Sequence, residues 1–388
     1  MFQIASVLLG LITAPGTCEL GLLTVGAWLF RDRSQPLGGG VNRLAIVVPA
    51  HNEAAVIHRC LASLSSCLRP NAVEISTIVI ADNCSDGTAE IAAHFGTEVL
   101  IRTDPVNMGK GFALQYAFQH LLVEAVDAVL VIDADTVAQP NLLIETVRWL
   151  DSGADGVQVR YLVLNPTESA RTRMMNLALM AFNVLRPRGR AYWGFSAGIS
   201  GNGFALKLST LQAVPYRAES IVEDLEYHLM LARNGRRIAF ADSTCVRADM
   251  PTRGTPASTQ RARWEGGRLG LTIRTLPTLI REICRGNYRL IEPVLELLLL
   301  PLSFHVMLLI LALAIPFEPV RWWALFSLSV VGAHVSTALI VGGGGIDELI
   351  ALMLAPWYLA WKILQLPDIL RSARRDTHWI RTERTGEG

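Results

Sequence analysis

Residues 4–30 form one apolar run, interrupted by Thr13, Pro15, Thr17, Glu19 and Thr24. The run exceeds the roughly 20 residues that a membrane-spanning helix requires. A secretory leader would carry Lys or Arg ahead of such a run and a small-residue cleavage site behind it. Here Arg31, Arg33 and Arg43 follow the run instead. Residues 1–30 are therefore expected to be a transmembrane anchor, with residues from 31 onward on the cytoplasmic side.

The other end of the chain has the same character. Residues 293–316 and 322–341 are each near bilayer length. A third stretch, 346–366, carries Asp347, Glu348, Pro356 and Lys362, and the tail 367–388 holds Arg371, Arg374, Arg375, Arg381 and Arg384. Two crossings return the chain to the cytoplasm, whereas a third would export those arginines against the positive-inside rule. Region 293–366 is thus expected to hold two spans plus an interfacial or re-entrant third helix, with Trp357, Tyr358 and Trp361 at the membrane boundary. Residues 271–292 are expected to form an interfacial helix leading into it. The expected location is a multi-pass protein of the cell's inner membrane, in contact with its lipids.

The chain is 51% hydrophobic and 18% charged, against about 25% charged in ordinary soluble domains, and the apolar excess sits at the two ends. A net charge of +1 gives no bias toward nucleic acid. The cysteines (18, 60, 67, 84, 245 and 284) lack a CxxC pair or zinc-like spacing. Cys60 and Cys67 read as small buried hydrophobes, and a reduced compartment fits.

Within an expected cytoplasmic domain at 41–270, residues 41–250 alternate strand-like and helix-like segments. Strands are expected at 44–49, 75–81, 99–102 and 128–133, with helices at 53–68, 88–95 and 109–125. That alternation predicts an α/β fold with a mainly parallel sheet buried on both faces. Ligands of such sheets bind beyond the carboxyl ends of the strands, so the polar residues there matter most.

The strongest of these is Asp133-Ala134-Asp135, closing an apolar strand. Two carboxylates at the end of a buried strand are costly unless paired or bound to a cation, and hard oxygen donors suit Mg2+ or Mn2+. Glu53 follows the first strand, where it lines a nucleotide pocket or begins a helix capped by Asn52. Asp82 ends the second strand, placed to accept hydrogen bonds from a base or ribose, while Ser85 and Asp86 suit a turn and helix cap. Lys110, between Gly109 and Gly111, lies near a diphosphate or on a surface turn. Glu223 and Asp224 offer a base for an acceptor hydroxyl or simply favour a helix N-terminus. Gln260, Arg263 and Trp264 combine a phosphate clamp with a sugar-stacking face, or else form a lipid-facing amphipathic helix.

In this order, the PxxNE run at 49–53, Asp82, DAD at 133–135, VED at 222–224 and QRARW at 260–264 resemble the family 2 glycosyltransferases with a GT-A fold. That family includes cellulose, hyaluronan and poly-N-acetylglucosamine synthases. Through the VEDLEYHL run at 222–229 and QRARWEGGR at 260–268 the chain resembles bacterial exopolysaccharide glycosyltransferases of the methanolan-synthesis type. The resemblance implies an inverting glycosyltransferase using a nucleotide-sugar donor, UDP-linked for preference, and a divalent metal. It implies that Glu53 and Asp82 hold the nucleoside, that Lys110 and Asp133 serve the donor, and that Asp133 and Asp135 meet the metal. Asp224 would then be the general base, and Gln260, Arg263 and Trp264 would bind diphosphate and acceptor. Two positions depart from the pattern. Ala81 stands where a second aspartate is common, and Val222 replaces the threonine of TED.

The expected acceptor is a lipid-linked or growing glycan, with other exopolysaccharide-assembly proteins as possible partners. A processive polysaccharide synthase and a non-catalytic scaffold or sugar-nucleotide sensor are the alternatives.

Overall fold

The computed structural model describes residues 2–32, 36–217, 220–252 and 255–374; the side chains of Phe2, 255–263 and Arg374 are outside that description. The arginines at 33, 375, 381 and 384, and the side chains of Gln260 and Arg263, therefore lie outside the described residues.

The chain opens with α1 (Phe2–Leu29), unbroken through Pro15. There follow β1 (Arg43–Ala50), α2 (Ile57–Ser65), β2 (Glu74–Asp82), α3 (Thr88–His94), β3 (Glu98–Arg102), α4 (Lys110–Leu121), β4 (Ala128–Val131), β5 (Thr136–Ala138), α5 (Leu142–Asp151) and β6 (Gly156–Val163). Next come α6 (Ala170–Met180), a π turn (Ala181–Leu185), α7 (Arg186–Trp193), β7 (Phe204–Lys207), α8 (Leu208–Ala213), α9 (Glu223–Arg233) and β8 (Ile238–Ala248). The C-terminal part is helical: α10 (Thr255–Cys284), α11 (Ile291–Leu298), α12 (Leu302–Ala314), α13 (Glu318–Gly342), α14 (Ile346–Ala351) and α15 (Ala355–Arg374).

Among the described residues eight strands form one sheet in the order β3-β2-β1-β4-β7-β6-β8-β5. β3, β2, β1 and β4 run parallel, while β7 is antiparallel to both β4 and β6. From β1 the chain moves outward to β2 and then returns to β4 on the other side, so the carboxyl ends of β1 and β4 flank a topological switch point. Strand residues alternate between two apolar cores, as a sheet covered on both faces requires. Leu44, Ile46, Val48 and Leu130 pack under α2 and α5, and Ala45, Val47, Val129 and Val131 pack under α4, α8 and α9. Cys60 and Cys67 are buried.

Three helices among the described residues are long and apolar enough to cross a membrane: Gln3–Leu29, Glu318–Gly342 and Ile346–Ala373. A further pair, Tyr288–Leu298 and Leu302–Ala314, is bent by 73° at its break. The bend thus falls within 293–316, a stretch expected to be a span, while 346–366 belongs to one of the long apolar helices. The expected boundary at 270/271 falls inside α10.

The polar interruptions of α1 face its helical neighbours. Thr13 accepts from Trp323 Nε1 at 3.0 Å, Thr24 Oγ1 lies 2.9 Å from His334 Nδ1, and Thr17 Oγ1 lies 3.3 Å from His305 Nε2. Hydrogen bonds of this kind hold helices together where apolar attraction discriminates poorly. The sheet domain is seated on the same helices through α6 and α7. Trp193 Nε1 donates to the Leu22 carbonyl at 2.9 Å, and a Cβ on Gly189 would land on the Leu23 backbone.

Gly189→Ala should therefore force α1 and α7 apart. Overpacking of this kind costs about 1–3 kcal/mol, which thermal unfolding in detergent would register as a lower Tm.

Candidate functional site

Two neighbouring clusters occupy the carboxyl ends of β1, β2 and β4. In the first, the turn after β1 is bound to the turn after β2. His51 Nδ1 lies 2.7 Å from the Asp82 carbonyl, Asn52 Oδ1 accepts from Ser85 N at 2.8 Å, and Glu53 N donates to Thr88 Oγ1 at 2.8 Å. Asn52 (φ 54°) is thus a bridging residue rather than a cap, and α2 begins only at Ile57. Asp86 Oδ1 accepts from Thr88 N at 3.1 Å, as a turn residue opening α3 should.

Asp82 is buried, and its Oδ1 accepts from Arg102 Nη1 at 2.6 Å. Arg102 also binds Asp104 at 3.0 Å and the Asn107 carbonyl at 2.8 Å. Neither Arg102 nor Asp104 was singled out from the sequence. The available signal was register, since Arg102 ends β3 directly opposite Asp82.

The second cluster surrounds Asp133-Ala134-Asp135, where the chain leaves the sheet centre at β4 for the far edge at β5. Ala134 is buried and both aspartates are half-buried. Asp133 N donates to Asn202 Oδ1 at 3.1 Å, and Asn202 Nδ2 donates to Thr136 Oγ1 at 2.8 Å. Buried Gln158 holds the Asn202 carbonyl at 2.8 Å. One asparagine therefore clips both ends of the turn. It stands between Gly201 (φ 74°) and Gly203 (φ 67°), left-handed conformations that glycine adopts without strain.

Lys110, first residue of α4, reaches the Asp133 carboxylate and donates to the Gly201 carbonyl at 2.6 Å. On the other side of Gly201 lies Asp224, whose Oδ2 would be 3.2 Å from a Cβ at that glycine. Lys110, Asp133 and Asp224 are thus gathered around one loop. Glu223 belongs to the same group, because it interacts electrostatically with Asp224, Lys110 and Asp133. Trp264, on α10, is exposed.

Charge in this cluster is unbalanced. Burial alone would lower the Lys110 ammonium, but Asp133, Glu223 and Asp224 together hold it above the usual lysine range. Burial also raises the Asp224 carboxyl, against the Leu225 N–H and Lys110. Glu223 is raised by burial and then by Asp224, again against Lys110. Among the described side chains, the carboxylates at 133, 135, 223 and 224 outnumber the nearby cations, Lys110, Arg59 on the Asp135 carbonyl and Arg268 facing Asp224. The hard oxygen donors of Asp133 and Asp135 fit a divalent cation, which would relieve that excess.

A model described as "Glycosyltransferase like family 2" matches residues 42–267. The chain is 27% identical over 243 residues to "Probable glycosyltransferase YdaM" of Bacillus subtilis, covering 60% of this chain and 57% of that protein. It is 28% identical over 268 residues to the beta-monoglucosyldiacylglycerol synthase of Trichormus variabilis, covering 67% of this chain and 56% of that one. The chain thus spans little more than half the length of these relatives. Among solved structures, the mannosyltransferase PcManGT from Pyrobaculum calidifontis, in complex with GDP-Man and Mn2+, is similar in fold. Its TM-score is 0.55 at 18% identity, with 94% of this chain and 97% of that one covered.

The raised Glu223 carboxyl has a consequence for stability. A group whose folded pKa exceeds its unfolded value binds a proton that the unfolded chain releases, so the fold loses stability as pH rises from the ordinary carboxylate range toward that pKa. Glu223→Gln removes this contribution. The Tm of the variant should fall less steeply between acid and neutral pH than that of the unaltered protein.

Proposed function

The chain belongs to glycosyltransferase family 2 and has the GT-A fold, and from that premise we propose that it moves a sugar from a UDP-sugar donor to a hydroxyl of a lipid-linked acceptor at the membrane surface, inverting the anomeric centre. The observation that carries this reading is the convergence of Lys110, Asp133 and Asp224 on the Gly201 loop, beyond the carboxyl end of β4.

Within it, Asp82, held by Arg102, and Glu53 bind the nucleoside part of the donor. Lys110 lies where it can meet negative charge on the diphosphate. Asp133 and Asp135 would hold Mg2+ or Mn2+, which when bound draws off the charge that builds on the departing nucleotide diphosphate. Asp224 takes the proton from the acceptor hydroxyl while that oxygen bonds to the anomeric carbon. The bond from this carbon to the donor phosphate breaks on the opposite side, with the electron pair leaving on the nucleotide diphosphate. Burial favours this role, because a raised carboxylate pKa is a more effective base near neutral pH. Gln260, Arg263 and Trp264 complete the acceptor side.

A lipid acceptor is supported by the similarity to a glucosyldiacylglycerol synthase, and by the seating of the catalytic domain on apolar helices. The three long apolar helices, or four with the bent pair, support limited addition over polymer export. With α1, α13 and α15 as spans and the bent pair at one surface, catalytic domain and basic tail share a side. The arginines make that side the cytoplasm.

Release of nucleotide diphosphate from a panel of UDP- and GDP-sugars, in native-lipid membranes with and without Mn2+ or Mg2+, tests the reading. Metal-dependent release with a UDP-sugar is expected. Asp135→Asn and Asp224→Asn should each lower transfer by about a hundredfold or more. Full activity in both variants would remove the catalytic assignment.

A further inference from the structure

α10, which carries Trp264, is gripped from the membrane side by two sets of charges, in which half-buried Glu265 and Arg268 meet buried Lys362 and Glu296. Glu265, the residue after Trp264, pairs with Lys362 of α15. The Lys362 side chain is fully enclosed, with its ammonium 5.7 Å from the centre of the Phe304 ring on α12. One turn further along α10, Arg268 reaches Glu296 of α11, with Nη1 3.8 Å from Oε1 and Nη2 on the backbone carbonyl. Glu296 also receives Arg190 Nη2 at 2.8 Å, and Arg190 pairs with Glu292.

The backbones are equally close. A Cβ on Gly266 would lie 2.8 Å from the Ile369 carbonyl, and one on Gly270 would lie 2.9 Å from the Ala373 carbonyl. Glycines four apart are what allow two helices to touch backbone to backbone. α10 in turn abuts the base. A Cβ on Gly267 would be 3.2 Å from Val222 Cγ1, directly before Glu223 and Asp224. Arg190 Nη1 donates to the Ala197 carbonyl at 3.4 Å, at the root of the loop that carries Gly201.

Apolar side chains of similar volume would hold these helices at least as firmly, since buried ion pairs repay their desolvation poorly. What charges add is one register and no other. We infer that Lys362–Glu265 and Arg190–Glu296–Arg268 are positioning contacts. Through them the C-terminal helices set α10, and with it the acceptor half of the site, against the donor half on the sheet. The inference rests on the division into donor and acceptor halves proposed above.

The test uses the full chain in native-lipid membranes and two readouts. One is sugar transfer to acceptor; the other is acceptor-independent release of nucleotide diphosphate to water, with the donor KM. Lys362→Met and Glu265→Lys should each lower transfer by about tenfold or more, with hydrolysis and donor KM held within about twofold. The exchanged pair Glu265→Lys/Lys362→Glu should recover most of the transfer. Lys362→Arg, which keeps the charge but changes its reach and donor geometry, should lower transfer relative to hydrolysis by a smaller factor. Parallel loss of transfer and hydrolysis across these variants, failure of the exchanged pair to recover, or undiminished transfer in the single variants overturns the inference. No metal-dependent donor turnover by the unaltered protein would instead overturn the glycosyl-transfer reading on which it rests.

Discussion

The ion pair between Lys110 and Asp133 sits where an apolar strand stops and charge begins. β4 is wholly buried at the centre of the sheet, so whatever follows it emerges into a region walled by protein. Carboxylates there need compensation, and one ammonium supplies part of it. Much of the local architecture follows from holding this pair. α4 starts at Lys110 so that its side chain projects over the strand ends. The Gly201–Gly203 loop turns its carbonyl to the lysine, and Asn202 and Gln158 fix the loop from beneath. The remaining negative charge, shared with Glu223 and Asp224, is a local electrostatic demand that a divalent cation would meet.

A second constraint comes from the membrane-type helices. Close backbone contacts at Gly189, Gly266 and Gly270 leave little freedom between the sheet domain and α1 or α15. The threonines of α1 hydrogen-bond to α12 and α13, and Glu19, buried in α1, faces the mixed charges of Glu292, Arg190, Glu296 and Arg186. The apolar helices are therefore joined to the enzyme by specific polar and backbone contacts and not merely tethered to it. A displacement of those helices would be felt directly by the elements that carry Asp224 and Trp264.

Features that depend on local pattern were legible in the chain itself. The strand segments around 44–49, 75–81 and 128–133, the helix at 88–95, and the carboxylates closing an apolar strand all follow from periodicity and from the cost of burying charge. The apolar ends follow from length. The start of α2 was misplaced because Asn52 spends its side chain on Ser85 rather than on a helix cap, a choice set by the turn after β2. The bend between α11 and α12 was missed because hydropathy reports total apolarity and not direction.

Other features had no local signature. Residues 170–193 bury Asn176, Asn183 and Arg190, so their inward face does not look apolar. The burial of these three is tolerable because Glu348, the Tyr161 carbonyl, Glu292 and Glu296 arrive from distant parts of the chain. Arg102 beside Asp82, Asn202 beneath Asp133, and Lys362 against Glu265 are likewise pairings across the fold. By itself the sequence determined the alternation of strands and helices, the apolar ends and the charged turn after β4, because each is written in neighbouring residues. Only the tertiary structure decided which charges meet, because a buried charge is made stable by its partner, and the partner is chosen in space.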